Sequence, residues 1–215
     1  MAQKPRAPAP PPEHPDVEIL GVETGFDRHL RVEVVRFRHR LFAGGWSGER
    51  VFDVVRRGAA VGVLLYDPDR DSVVLIEQVR VAALYAGRSP WQVEAVAGLV
   101  DTDETPDAVA RREAREEANL DPMGALVPIQ TMLPATGSYD EAVSLFCGRV
   151  DSRRAAGVYG LAAEGEDIRV VVKTMSEIEA MLDLGQIESA HTLVCLYWLL
   201  RHRDRLRREW SGEST

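Results

Sequence analysis

The chain has 215 residues, 45% hydrophobic and 28% charged, with a formal net charge of −8, an ordinary globular composition with enough apolar residues for a sizeable core. The acidic balance argues against a general nucleic-acid binder, which would present clustered Lys and Arg to phosphates. Cys147 and Cys195 are too few and too far apart for a disulfide framework or a zinc ribbon, which points to a reducing, cytoplasmic setting. Residues 1–15 are rich in proline and lack an apolar centre, so they read as a disordered tail and not as a signal peptide. The longest apolar stretch near the C-terminus, Leu193 to Leu200, is too short to span a bilayer, and no membrane association is expected. In chain order, the segments 17–22, 30–38 and 49–57 read as strands of a small antiparallel sheet, with Gly44-Gly45 turning between the last two. The runs AAVGVLLY and SVVLIEQV flank Asp67-Pro68-Asp69-Arg70-Asp71 and predict a hairpin. A short strand is expected at 91–95, a helix at 106–118, and strands at 125–133, 143–150 and 167–174. Helices at 176–184 and 190–208 close the chain; Ser176 and Glu179 read as a capping box for the first of these, with Gly185 as its stop. This ordering predicts an α+β fold, with helices sandwiching a mixed sheet.

The helix at 106–118 carries the chemistry. Thr105 suits its N-cap and Pro106 its first position. At 100° per residue Ala110, Ala114 and Ala118 form a small-residue stripe fit to pack on a sheet, and Arg111 and Arg115 point to solvent. Glu113, Glu116 and Glu117 share the remaining face. Three like charges there repel one another unless a cation sits among them, and a hard ion such as Mg²⁺ or Mn²⁺ prefers oxygen ligands. On the string REAREE alone, the plainer reading is a solvated acidic edge neutralised by its arginines.

The residues before it change that reading. Gly98, five residues, Glu104, seven residues, Arg112-Glu113-Ala114-Arg115-Glu116-Glu117-Ala118-Asn119-Leu120 resembles the Nudix box G-x5-E-x7-R-E-U-x-E-E-x-G-U at every defined position but one. Asn119 stands in place of the last glycine, and asparagine tolerates the left-handed conformation that a helix C-cap needs. The resemblance extends over residues 36–205, including RFRHRLF, VVLIEQVRVAA and GLAAEGEDIRV, where the chain is similar to bacterial ADP-ribose pyrophosphatases of the Nudix family.

The resemblance implies an α/β/α Nudix sandwich at 58–210 and an N-terminal β-sheet domain at 16–57 that serves dimerisation and the substrate site. It implies Mg²⁺-dependent (or Mn²⁺-dependent) hydrolysis of ADP-ribose to AMP and ribose 5-phosphate. Metal ligands would be the Ala97 carbonyl, Glu113 and Glu117, with Glu116 sharing or orienting the ions; Gly98, Glu104 and Arg112 would be structural. The catalytic base would come from the loop 155–170, as Glu164, with Glu166 as a further ligand or its support. Arg57 and Arg80 match arginines that hold the diphosphate and ribose. Glu141, in the run 134–142 that starts at Pro134, matches a frequent glutamate of the substrate loop. The chain departs from close relatives at the base site, where it has His29 and Phe52 in place of an aromatic ring and an arginine, and Asp53 in place of a glutamate. These departures keep open a different nucleoside diphosphate sugar, such as GDP-mannose. A non-catalytic nucleotide sensor would be expected to have lost its carboxylates. Related enzymes form dimers whose N-terminal strands cross over, so a domain-swapped homodimer is expected, with no nucleic-acid partner.

Overall fold

A computed structural model describes residues 10–28, 30–100, 103–163 and 165–211. Most of the expected tail, together with His29 and Glu164, lies outside them. The chain divides into two units, residues 10–59 with 133–142, and residues 60–132 with 143–211.

The first of these is built on three strands, β1 (Val17–Asp27), β2 (Arg31–His39) and β3 (Arg50–Arg56), paired antiparallel in that order. Gly44 and Gly45 both take positive φ, 90° and 77°, in the turn that joins β2 to β3, a conformation that costs a residue without Cβ nothing. Residues 133–142 lie along the outer edge of β3. Val55 donates to the Ser138 carbonyl at 2.8 Å and accepts from Asp140 N–H at 3.2 Å, which satisfies backbone groups that an edge strand otherwise leaves bare.

The other unit opens with β4 (Ala59–Asp67), β5 (Ser72–Val79), α1 (Val81–Tyr85), β6 (Trp91–Glu94), β7 (Val96–Leu99) and α2 (Pro106–Ala118). It continues with β8 (Met123–Met132), β9 (Ala142–Arg149), β10 (Val158–Tyr159), β11 (Ile168–Thr174), α3 (Met175–Asp183) and α4 (Ala190–Ser211). Its eight-stranded mixed sheet runs β10-β11-β5-β4-β9-β8, with β6 paired to β5 and β7 to β4. β4 is buried over almost its whole length because both faces are covered, the pattern that a continuous apolar run specifies. Ala60, Leu64 and Tyr66 face a core shared with Ile178, Cys195, Leu196 and Leu199 of α3 and α4. Val61, Val63 and Leu65 face a second core completed by Val109, Ala110, Ala114 and Ala118 of α2. The fold is therefore helix, sheet, helix, and the alanine stripe of α2 is the surface that lets it lie on the strands.

Several local features differ from the expectations above. The hydroxyl that caps α3 belongs to Thr174, not Ser176: Thr174 Oγ1 accepts from Glu177 N–H at 3.3 Å while the Glu177 carboxylate accepts from Thr174 N–H at 2.8 Å. The sequence holds two overlapping capping boxes, and the upstream one wins because β11 ends at Thr174, opposite Ser72 of β5. Gly185 does take positive φ, 65°, just past the helix. Arg111 is not turned out to solvent; its guanidinium donates to the carbonyls of Pro122 (2.8 Å) and Gly124 (2.5 Å) and ties α2 to the start of β8. The short helix α1 and the separate strand β7 had no expected counterpart.

Candidate functional site

The start of α2 is set by Thr105, whose Oγ1 accepts from Ala108 N–H at 3.4 Å. Its end is set by Asn119, which sits in the left-handed region at φ 52°, ψ 36° and lets Leu120 N–H reach back to the Ala114 carbonyl. Between these stops the acidic face meets β7. Glu117 is only 3% exposed, and its Oε2 accepts from Ala97 N–H at 3.1 Å. Glu113 lies over Gly98 so closely that a Cβ added there would fall 2.1 Å from Glu113 Oε1. A side chain at 98 would therefore push the Glu113 carboxylate out of its present place against β7.

Charge is concentrated here. Burial pushes the Glu117 carboxyl up to about 8; the Ala97 N–H works against this, the charges of Glu113 and Glu166 add to it, and Arg80 offsets a part. Arg112 gathers the acids around it, with Glu113 at 3.0 Å, Glu116 at 2.8 Å and Glu104 at 3.3 Å. Burial disfavours its charge, but those carboxylates outweigh burial and raise its pKa. Among the described residues no three His, Cys, Asp or Glu side chains are drawn into a finished metal cage; Glu113 and Glu116 turn oxygens toward Arg112. The donor set nonetheless fits a hard divalent cation. It is made of oxygens only, and its most buried member is a carboxylate beside two like charges that a cation would relieve.

The loop after β10 is fastened to the same end of α2. Gly160 N–H donates to the Glu116 carbonyl at 3.2 Å, and Leu161 N–H donates to Glu166 Oε2 at 2.8 Å. A Cβ on Gly160 would lie 2.6 Å from Glu166 Cβ, so this glycine makes room for the Glu166 side chain. Arg80, at the end of β5, donates to Glu94 Oε2 at 2.7 Å. Glu94 is buried, and the sequence reading missed it. In WQVE Glu94 shares the polar parity with Gln92, which alternation reads as outward, so the sequence carried no signal for its burial.

In the unit that contains β1 to β3, the residues assigned to substrate are spread along one strand and its companion loop. Arg57 Nε lies 3.8 Å from Glu141 Oε1. Phe52 is half exposed and meets Phe37 edge-on at 5.6 Å; Asp53 is exposed on β3 opposite Val34. The same unit holds a largely buried ion-pair network. Arg56 reaches Glu33 at 2.5 Å and Asp140 at 2.7 Å, and Asp140 Oδ1 accepts from both Arg57 and Gly58 N–H. Burial opposes ionisation of Asp140, but Arg56 and these two amides hold its pKa below the usual range. Sequence reasoning missed Asp140, Arg56 and Glu33, which nothing in their local pattern brings together.

A family model described as NUDIX domain matches residues 56–189. The chain belongs to the Nudix family. It is 41% identical over 196 residues, 91% of this chain and 93% of the relative, to the ADP-ribose pyrophosphatase of Escherichia coli (strain K12). Identity to the ADP-ribose pyrophosphatase of Haemophilus influenzae is 38% over 198 residues, 91% of each chain. The GDP-mannose pyrophosphatase of Citrobacter koseri is 34% identical over 149 residues, 68% of this Nudix chain and 76% of the relative. A crystal structure of an ADP compounds hydrolase superposes with a TM-score of 0.69 over 93% of this chain and 98% of its own; at 19% identity that likeness is one of fold.

Proposed function

We propose that this Nudix protein is a hydrolase that cleaves the diphosphate linkage of ADP-ribose, releasing AMP and ribose 5-phosphate. The observation that carries the reading is the acidic face of α2 folded onto Ala97 and Gly98, with Glu117 buried against the Ala97 amide. Identity of 41% across nine-tenths of the chain to an ADP-ribose pyrophosphatase supports the substrate.

In this reading a divalent cation, Mg²⁺ with Mn²⁺ as a substitute, supplies charge neutralisation of the diphosphate and Lewis acidity. The Ala97 carbonyl, Glu113 and Glu117 would hold it, with Glu116 and Glu166 in support. Arg112 fixes the directions of Glu113 and Glu116, and Glu104 fixes Arg112. Glu164 is assigned to take the proton from the attacking water, since a base must come from outside the ligand set. Arg80 and Arg57 are assigned to the anionic and ribose parts, Phe52 and His29 to the base, and Asp53 and Glu141 to the substrate rim. We assign residues 16–57 to dimerisation and substrate and 58–210 to the chemistry.

A homodimer with exchanged N-terminal strands fits the exposed apolar residues of the small sheet, among them Val17, Ile19, Val22, Phe26 and Val51, since apolar patches of this kind mark interaction surfaces. Light scattering on the purified protein tests it. A cytoplasmic setting fits the two free, buried cysteines, and none of the described helices is long and apolar enough to cross a membrane. The acidic balance is why no nucleic acid is counted among its partners, and the shortness of the apolar stretch Leu193 to Leu200 is why no membrane is.

The deciding assay incubates the protein with Mg²⁺ and, separately, ADP-ribose, GDP-mannose, ADP-glucose and a diadenosine polyphosphate, with products resolved chromatographically and a Glu113→Gln variant alongside. AMP and ribose 5-phosphate from ADP-ribose, lost in the variant, are the expected result. Turnover of GDP-mannose alone would keep the chemistry and replace the substrate. Tight ADP-ribose binding without turnover of any compound would replace catalysis with sensing.

A further inference from the structure

Ala95 is fully buried at the junction of β6 and β7. There the chain leaves one neighbour for another, since β6 pairs with β5 and β7 with β4. Ala95 belongs to neither ladder, and a buried peptide outside a ladder needs other partners for its N–H and its carbonyl. Both come from the start of α4. Ala95 N–H donates to Thr192 Oγ1 at 2.9 Å, and His191 Nε2 lies 3.2 Å from the Ala95 carbonyl.

The proton positions follow from chemistry. A carbonyl only accepts, so Nε2 carries a hydrogen, which in a neutral ring leaves Nδ1 to accept. Its neighbour at 3.0 Å is Ser189 Oγ, which therefore donates and is left to accept from Thr192 Oγ1 at 3.1 Å. The relay runs from Ala95 N–H through Thr192, Ser189 and His191 back to the Ala95 carbonyl, opening and closing on one residue. Gly62 pairs with Ala97, and a Cβ there would meet Leu145 at 2.8 Å and His191 Cδ2 at 3.5 Å. The helix that supplies the relay is itself anchored, with Leu196 and Leu199 fully buried and Arg203 paired to Asp71 on the hairpin turn.

Two residues beyond the clamped peptide lies Ala97, whose N–H holds Glu117. We propose that Ser189, His191 and Thr192 are positioning residues of the metal site: by fixing both polar atoms of Ala95 they set the direction of the Ala97 backbone, and with it the carbonyl and the Glu117 carboxylate offered to a divalent cation. This rests on the reading of Ala97 and Glu117 as ligands. The three side chains lie on the sheet face opposite α2 and act only through the strand.

The test is a Thr192→Val variant, which keeps shape and burial but removes the hydroxyl, with Thr192→Ser as its rescue. Calorimetric titration of Mn²⁺ into the metal-free proteins is read beside melting temperature, the Mg²⁺ concentration for half-maximal turnover, and KM for ADP-ribose at saturating Mg²⁺. Thr192→Val weakens Mn²⁺ binding about tenfold, the effect typical of residues that orient ligands, and raises the Mg²⁺ requirement equally. KM stays within about twofold, and Thr192→Ser recovers the parental affinity. Ser189→Ala, which breaks the relay at its less buried link, gives a smaller loss in the same direction and serves if Thr192→Val does not fold. Parental Mn²⁺ affinity in the variants, with or without a lowered melting temperature, overturns the proposal and leaves the relay a fold contact. A parent that binds no Mn²⁺ overturns it together with the ligand assignment. A parent that binds Mn²⁺ but hydrolyses no nucleotide overturns only the substrate reading, and the calorimetry still decides the relay.

Discussion

Glu117 gives the sharpest test of the site's electrostatics. Its carboxyl is held up to about 8 by burial, beside the charges of Glu113 and Glu166, whereas in the unfolded chain it ionises as an ordinary glutamate, near 4.5. The folded state thus keeps a proton that the unfolded state releases. The stability this contributes is full below the unfolded value, falls as pH rises between the two values, and is gone above about 8. At about 1.4 kcal/mol per pH unit, the span from pH 5.5 to pH 8.5 is worth roughly 3 kcal/mol, or about 6–12 °C in melting temperature for a chain of this size. Glu117→Gln keeps an oxygen that can accept from Ala97 N–H and removes the titration. Thermal unfolding of both proteins in chelator, followed by circular dichroism across that range, isolates the effect from every other titrating group. The melting-temperature advantage of the variant should widen steadily toward alkaline pH, and Mg²⁺ should close the gap by restoring the wild type alone. Parallel curves, separated by a constant offset at every pH, would falsify the claim that Glu117 is held protonated by its surroundings.

Gly98→Ala places a methyl group where Glu113 now lies; kcat should drop roughly a hundredfold, the cost of misplacing a site group by about 1 Å, with the far-ultraviolet spectrum unchanged. Asp140→Asn removes one carboxylate from Arg56 and should lower the stability measured by urea unfolding by about 2 kcal/mol, less than the roughly 3–5 kcal/mol of a fully buried pair because Asp140 is part-exposed. Asn119→Gly should be neutral to within about 0.5 kcal/mol, because the position is left-handed, whereas Asn119→Val should lose about 1 kcal/mol by the same measurement.

The parts of this molecule legible in the sequence are those fixed by short-range geometry. The helix of the box starts at Thr105 and ends at a left-handed Asn119 because capping and C-cap strain are local, and its alanine stripe is buried because 100° per residue is a property of any helix. The features that escaped depend on partners far along the chain. Nothing in residues 91–99 says that the strand changes neighbours at Ala95, since that is decided by where the β4–β5 ladder ends and the two strands part. Nor does Asp140 advertise an arginine 84 residues away. The capping box of α3 was misplaced by two residues because two adequate boxes overlap, and only the end of the β11 ladder chooses between them.

The same distinction explains why the acidic face is recognisable as a motif and yet not understandable from the motif alone. A helix selected for stability would not bury Glu117, since a group of similar volume without charge would avoid the desolvation that raises its pKa. The cost is tolerable only where the carboxylate has a backbone donor aimed at it, and that donor is on β7, whose direction is set from the opposite face of the sheet by α4. Glu166 arrives from a third element, held by the Leu161 amide in the loop fastened to the end of α2. Three segments separated by tens of residues therefore act on one carboxylate, through the Ala97 amide, the clamped Ala95 peptide behind it and the charge of Glu166. The box supplies the carboxylates, but their burial, spacing and charge state belong to the sheet, which is why a substitution on α4 that touches none of them is expected to be felt at the metal.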